Sequence, residues 1–259
     1  MKTLLIYLFI AITAISFLIF CNKNSVKLKR SPNKMEILKL EKSILSYSDS
    51  VNSILFSFNK QESLFYYQGD NSFFVTKYHD EDYKNVVLVK HNHIGKQKIL
   101  EQNFYIQNGK TVLISSIETD ARSGMIASSI RYFYSQASLI SQYEKSIQKE
   151  NQLSSSIYNP ASLSAINEEF EVAVMEDALK QQGDFDLVFE GITEYPKAKY
   201  IILSQDKINA YRAPIRVNEK DELATELLLN PERFRGRKLI ITGKVKNKNE
   251  AIYISGKLK

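Results

Sequence analysis

The side chains that do most protein chemistry are scarce in this chain, with three histidines and one cysteine among 259 residues. His91 and His93 stand two apart. On a strand both imidazoles would share a face and could grip a metal ion. Helpers would have to come from His79, Asp80, Glu81 and Asp82. Those residues read as the turn that precedes the histidine strand, roughly 23 Å away at about 3.3 Å per residue. The two groups should not meet, so the pair reads as surface histidines. Gly109-Lys110-Thr111 has the ending of a phosphate-binding loop, but the opening glycine of that motif would fall at position 104, where Phe104 stands. Carboxylates are plentiful, yet no spacing singles out a pair for acid–base work. One cysteine excludes a disulfide scaffold and any multi-cysteine zinc or iron–sulfur site. The expectation is a chain without catalytic residues, metal ligands or cofactor, and not an enzyme.

The cysteine has a telling position. Met1-Lys2 is followed by an uncharged run from Thr3 to Phe20, and the run ends at Cys21. A polar stretch, Asn22-Lys23-Asn24-Ser25, comes next. A charged start and an apolar run are the layout of an export signal. The segment resembles bacterial lipoprotein signal peptides, in which such a cysteine becomes the lipidated first residue. Leu18 and Ile19 suit that motif, and Phe20 departs from it. Two other readings stay open. One is an uncleaved membrane anchor, whose flanking Lys23, Lys27, Lys29, Arg30 and Lys34 would hold the body on the cytoplasmic side. The other is an ordinary signal peptide cut after Ser16.

Composition bounds the rest. Hydrophobic residues are 44% and charged residues 25%, which excludes collagen, a wholly disordered chain and a polytopic membrane protein. The 15 Tyr and 14 Phe favour strands. The formal net charge of +6 is unevenly spread. Residues 22–42 hold seven basic and two acidic groups, and residues 231–259 hold nine and two. The middle is therefore net acidic. The first basic stretch reads as a solvated tether, and the second is the better binding candidate.

Between about 53 and 143 short aromatic runs alternate with turn residues. Asn108-Gly109 between Phe104–Gln107 and Lys110–Ile114 is the strongest hairpin signal, because both turn residues need positive φ. It should pair Tyr105 with Val112 and Phe104 with Leu113. Leu64–Tyr67 with Phe73–Val75, and Ile130–Tyr134 with Leu139–Ser141, repeat the pattern loosely. This β-meander resembles the bodies of many exported bacterial lipoproteins. Its aromatic stripes read as core. Next, Asn159, Pro160 and Gly183 bound an expected helix, with Leu163, Ile166, Phe170, Val174 and Ala178 on its apolar face and its acidic residues turned mostly away. Ser154–Ser156 before it reads as a linker.

From residue 184 the expected order is Phe185–Gly191, Lys199–Ser204 and Ile208–Ala213 as strands, then a helix Glu219–Leu229 capped by Asn218. Lys238–Val245 and Ala251–Leu258 complete it as strands. That order, and the stretch from Leu229 to Val245, resemble an OB-like five-stranded barrel, with a small α+β sandwich as the alternative. The resemblance implies a ligand face on the second and third strands, offering Lys199, Tyr200, Tyr211 and Arg212. The fold class expected is α+β, mostly β: an antiparallel β-meander, a helix and a small OB-like barrel. The divisions are 1–21 signal or membrane segment, 22–49 basic tether with a short helix, 50–150 meander, 151–183 linker and helix, and 184–259 OB-like domain. Function then reads as a membrane-anchored envelope lipoprotein with a binding or structural role. Its partners would be the membrane, through lipid or anchor, and an envelope protein or glycan. In the cytoplasmic alternative the ligand would be nucleic acid.

Overall fold

The computed structural model describes residues 33–95, 97–123, 125–136, 138–147, 156–163, 166–246 and 250–259, with the backbone alone over 125–130. The expected signal segment with Cys21, and most of the expected basic tether, lie outside them. The chain divides into two compact units, Met1–Lys39 and Leu40–Lys259. At the end of the first, Asn33 and Glu36 form a reciprocal cap. The Asn33 side chain accepts from the Glu36 amide at 2.9 Å, and the Glu36 carboxylate accepts from the Asn33 amide at 2.8 Å. This pair satisfies two orphan donors and starts helix α1, Lys34–Ile54. The helix is longer than the short one expected here.

The second unit is mostly β, and its meander lies as expected. Antiparallel neighbours run β2 (Tyr66–Gln68), β3 (Asn71–His79), β4 (Asn85–Ile94), β5 (Lys98–Gln107), β6 (Lys110–Asp120), β7 (Met125–Ser135) and β8 (Ser138–Lys145). β1 (Asn59–Glu62) pairs with β3. Two-residue turns close three of the hairpins. Gly69, Asn108, Gly109 and Gln136 in them all have positive φ, the left-handed region that matches strand twist. At Asn108-Gly109 the register is not the one expected. A bulge after Tyr105 pairs it with Leu113, and Phe104 with Ile114. Extra residues of this kind turn local twist up and shift every later pair by one.

Both faces of the meander are covered. Val87, Val89, Tyr105, Leu113 and Phe133 pack with Ile44 and Val51 of α1. The alternate residues Leu88, Phe104, Ile114, Tyr132 and Tyr134 belong to a larger core. That core includes Met175, Ala178 and Leu179 of a second helix, α2, Glu168–Lys180.

Helix α2 corrects the expected 159–183 span. Asn159 and Pro160 are a short strand, β9, paired with Tyr143 and Glu144 of β8. The cap is Asn167, which accepts from the Phe170 amide at 3.2 Å. Phe170 and Leu163, expected inside, are exposed. The acidic side supplies the reason. Glu171 and Glu176 pair with Lys90 (2.6 Å) and Lys77 (2.5 Å), which rise from the sheet, so the helix turns part of its acidic face inward.

The last five strands are β10 (Val188–Tyr195), β11 (Ala198–Ser204), β12 (Arg212–Val217), β13 (Leu239–Lys246) and β14 (Glu250–Leu258), with helix α3, Glu222–Leu229, before β13. β10, β11 and β12 are antiparallel, β14 joins β12 in parallel, and β13 pairs with β14. Phe189, Ile201, Ala213, Ile215, Ala224 and Leu227 are fully buried beneath them. Each of the larger side chains stabilises the fold by about 1.5–3 kcal/mol. The strand order and helix position match the OB-like expectation, but the sheet is open and not a closed barrel. β10 and the β13 end touch at one bridge, Val188 to Lys238, with no ladder between them. On its other side β12 gives Arg212 to Tyr67 of β2, which draws the five strands and the meander into one sheet with a continuous core.

Three expected boundaries shift. Phe185 sits in a 3-10 turn, Gly183–Phe185, ahead of β10, and is still buried. α3 is capped by Asp221, which accepts from the Ala224 amide at 2.8 Å, and not by Asn218. The third strand begins at Arg212 instead of Ile208. Asn209 holds a left-handed φ of 58° that ends any extended run, and Ile208 is 95% exposed. Pro214 lies inside β12. It occupies the gap between the residue paired to β2 and the residues paired to β14, where no second neighbour requires its missing N–H.

Candidate functional site: the outward face of the C-terminal sheet

Alternation along β10–β12 sends Phe189, Ile201, Leu203, Ala213 and Ile215 inward and leaves the intervening residues outside. The register then builds an outward row. Thr193 lies opposite Tyr200, Tyr200 opposite Arg216, Arg216 opposite Ile252, and Ile252 opposite Lys244. Tyr195 meets Tyr200 edge-on, ring centroids 5.8 Å apart. Beside this row Arg212 pairs with Tyr67. A hollow of about 890 Å³ is lined by Tyr67, Thr193, Tyr195, Tyr200, Ile202 and Arg212 among others. A second, of about 670 Å³, runs past Arg212 to Glu190, Lys207 and Arg235. Arg212 and Ala210 line both, so the two form one bent groove.

The arginines of this face are matched within it, while Lys207 and Lys244 form no ion pair among the described residues. Arg212 donates through Nη2 to both carboxylate oxygens of Glu190 at 2.8 Å. Glu250 accepts from the Tyr200 hydroxyl at 2.7 Å and lies 3.4 Å from Arg216. That hydrogen bond to a carboxylate, with some burial, raises the Tyr200 phenol above its ordinary pKa, so it stays a neutral donor. Arg235 is paired with Glu232 at 2.8 Å, and on the opposite face Lys199 is paired with Glu194.

Of the four residues picked from sequence, the structure brings Tyr200 and Arg212 together on the groove. Lys199, the neighbour of Tyr200, alternates away from this face. Tyr211 precedes β12 and points to the other side, its ring 4.7 Å from Phe185 and 5.5 Å from Phe73. Sequence reasoning misses Tyr67, Tyr195 and Arg216. A signal for Tyr195 exists: Glu194–Lys197 reads as a turn, but the ladder of β10 and β11 runs to Tyr195 and Ala198. Tyr67 has no such signal, because the β2–β12 pairing joins residues 145 positions apart (Tyr67 and Arg212).

His91 differs from the surface position expected, while His79 stands apart from the pair as expected. His91 is buried, stacked 4.3 Å from Phe74, with Nδ1 3.1 Å from the Glu101 carboxylate. His79 stacks on Tyr83 at 3.9 Å, in the turn away from them. Among the described residues no group of three or more His, Cys, Asp or Glu is placed to hold a metal ion, and no described helix is long and apolar enough to cross a membrane. No protein-family model matches the chain, and no curated protein or solved structure does either.

Proposed function

We propose that this chain is a lipid-anchored envelope protein with a non-catalytic binding role, and that the groove across β10–β12 is its ligand site. The ligand class that fits best is a glycan chain. One observation carries this reading: three tyrosines line one open groove, Tyr195 exposed, Tyr200 beside it, and Tyr67 half-buried at its edge against Phe65. Aromatic faces exposed in a groove suit the apolar faces of sugar rings, and a groove open along its length suits a polymer. Charge argues for glycan over nucleic acid. Polyphosphate binding draws its strength from cations that displace counterions. Here Arg212, Arg216 and Arg235 already have carboxylate partners. The anchor rests on the sequence around Cys21, the one cysteine at the end of the apolar run.

The test is affinity electrophoresis of the full chain in detergent, through gels holding soluble peptidoglycan fragments, dextran or a xylan, beside a thymidine oligonucleotide shift. Retardation by a polysaccharide, lost in Tyr195→Ala/Tyr200→Ala, is the expected result. An oligonucleotide shift without polysaccharide retardation would instead favour the nucleic-acid alternative. Intact mass decides the anchor. A mass for residues 21–259 plus acyl chains, absent in Cys21→Ser, is expected, and an unmodified full-length mass would refute it.

A further inference from the structure

Opposite the groove, the same seam between β2 and the 209–212 segment walls a second hollow of about 180 Å³. Its origin is the strand register. Gln68, Asn71 and Ile94 stand side by side across β2, β3 and β4, and the next row holds Tyr66, Phe73 and Asn92. These residues share the face of the meander that carries Lys90. Tyr211, which the outward face does not use, closes the hollow from the far side.

The chemistry of this hollow is uncharged and two-sided. Lys90 is matched by Glu171 at 2.6 Å, so the pair presents no net charge. Gln68 uses its amide nitrogen on the Asn209 carbonyl, which leaves its oxygen as an acceptor. Asn71 uses its oxygen on the Gly95 amide, which leaves its nitrogen as a donor. Asn92 is half-buried, and its amide bonds to no described residue. Donors and acceptors thus alternate along one wall, over the rings of Phe73 and Tyr211. A hydroxyl both donates and accepts, so adjacent hydroxyls on a ring match such a wall, while the ring's C–H face suits an aromatic floor. A cavity of about 150 Å³ encloses benzene, so the hollow of about 180 Å³ seats one face of a six-membered ring and leaves part of a bulkier pyranose in solvent.

We propose that this hollow is a monosaccharide site. It takes a single pyranose ring, with Asn71, Asn92 and Gln68 on its hydroxyls and Tyr211 against its apolar face. It is separate from the groove, and the two sites stand or fall independently. A free amino acid is the competing small ligand, because its carboxylate and ammonium would be drawn to Lys90 and Glu171.

Saturation-transfer NMR on the full chain in detergent tests this, with glucose, galactose, mannose and N-acetylglucosamine as separate probes and glycine and glutamate as the amino-acid arm. At least one sugar is expected to show ring-proton saturation. Its apparent affinity should weaken by about fivefold or more in Asn92→Ala, and hold in Tyr200→Ala. If Asn92→Ala is unfolded by circular dichroism, Gln68→Leu, two strands away on β2, takes its place with the same expectation. The proposal is overturned if no sugar is saturated, if saturation survives both substitutions, if it is lost only in Tyr200→Ala, or if the amino acids bind and displace the sugar.

Discussion

Two tyrosines of one aromatic cluster should respond in opposite ways to loss of a single oxygen. Tyr66 is fully buried, and its hydroxyl donates to the Ala178 carbonyl at 2.8 Å. Ala178 lies in the last turn of α2, where carbonyls have no partner within the helix. Tyr66→Phe therefore removes a hydrogen bond and strands a buried acceptor, at a cost of about 1–3 kcal/mol. For a folded unit of this size that lowers Tm by about 2–4 °C per kcal/mol. Tyr211 packs 6.2 Å from Tyr66, but its hydroxyl bonds to no described residue. Tyr211→Phe should change stability by less than about 0.5 kcal/mol. Urea unfolding followed by circular dichroism reads both, with unchanged m-values expected. Equal midpoints for the two variants would refute the reasoning, because the cluster would then respond to ring packing alone.

Asp221 caps α3 and also accepts from Tyr253 at 2.8 Å and from the Gly256 amide at 3.2 Å. Partial burial pushes its carboxyl up, but the hydrogen bonds from Ala224, Tyr253 and Gly256 outweigh it and hold the group below the usual carboxylate range. Its contribution to stability is therefore full above the unfolded value of about 3.9 and is lost as pH falls through the lower folded value. Asp221→Asn should flatten the acid limb of stability below about pH 4; urea midpoints with the same acid slope as wild type would contradict this. Gly256 has a different constraint, since an added Cβ would stand 2.9 Å from Leu223 and 3.0 Å from the Tyr253 hydroxyl. Gly256→Ala is expected to destabilise by about 1–3 kcal/mol by overpacking, and an unchanged melting temperature would show that the site yields freely. At Gly109, φ is +74° and an added Cβ would meet nothing within 4 Å, so Gly109→Ala should cost only backbone strain, about 1 kcal/mol. A larger loss of thermal stability would point to a contact that the turn does not show.

Local structure is legible in this sequence and long-range pairing is much less so, and particular residues show why. Asn108-Gly109 fixes its hairpin because the turn's backbone angles are set by two adjacent residues. The bulge that shifts Tyr105 onto Leu113 depends on how the whole strand twists, and no local signal marks it. Helix α3 lies where its pattern places it, but its cap falls three residues later than expected. Asn218 and Asp221 are both good caps, and only Asp221 meets Tyr253 and Gly256. The 159–183 helix is shorter and differently faced than its pattern implies, because Lys77 and Lys90 on distant strands draw Glu176 and Glu171 inward, away from water. Half of the candidate face is legible. Tyr200 and Arg212 follow from the OB-like strand order, while Tyr211 goes to the core because Asn209 turns the chain and delays β12.

The most direct measurement on the central claim is the dissociation constant of the full chain for a retained polysaccharide, in low and high salt, for wild type and Tyr200→Ala. An aromatic groove whose arginines are already paired predicts binding that changes little with salt and weakens by about tenfold without the Tyr200 ring. Binding that collapses in high salt and survives Tyr200→Ala would contradict it, because the ligand would then be held by basic groups and not by the aromatic rings.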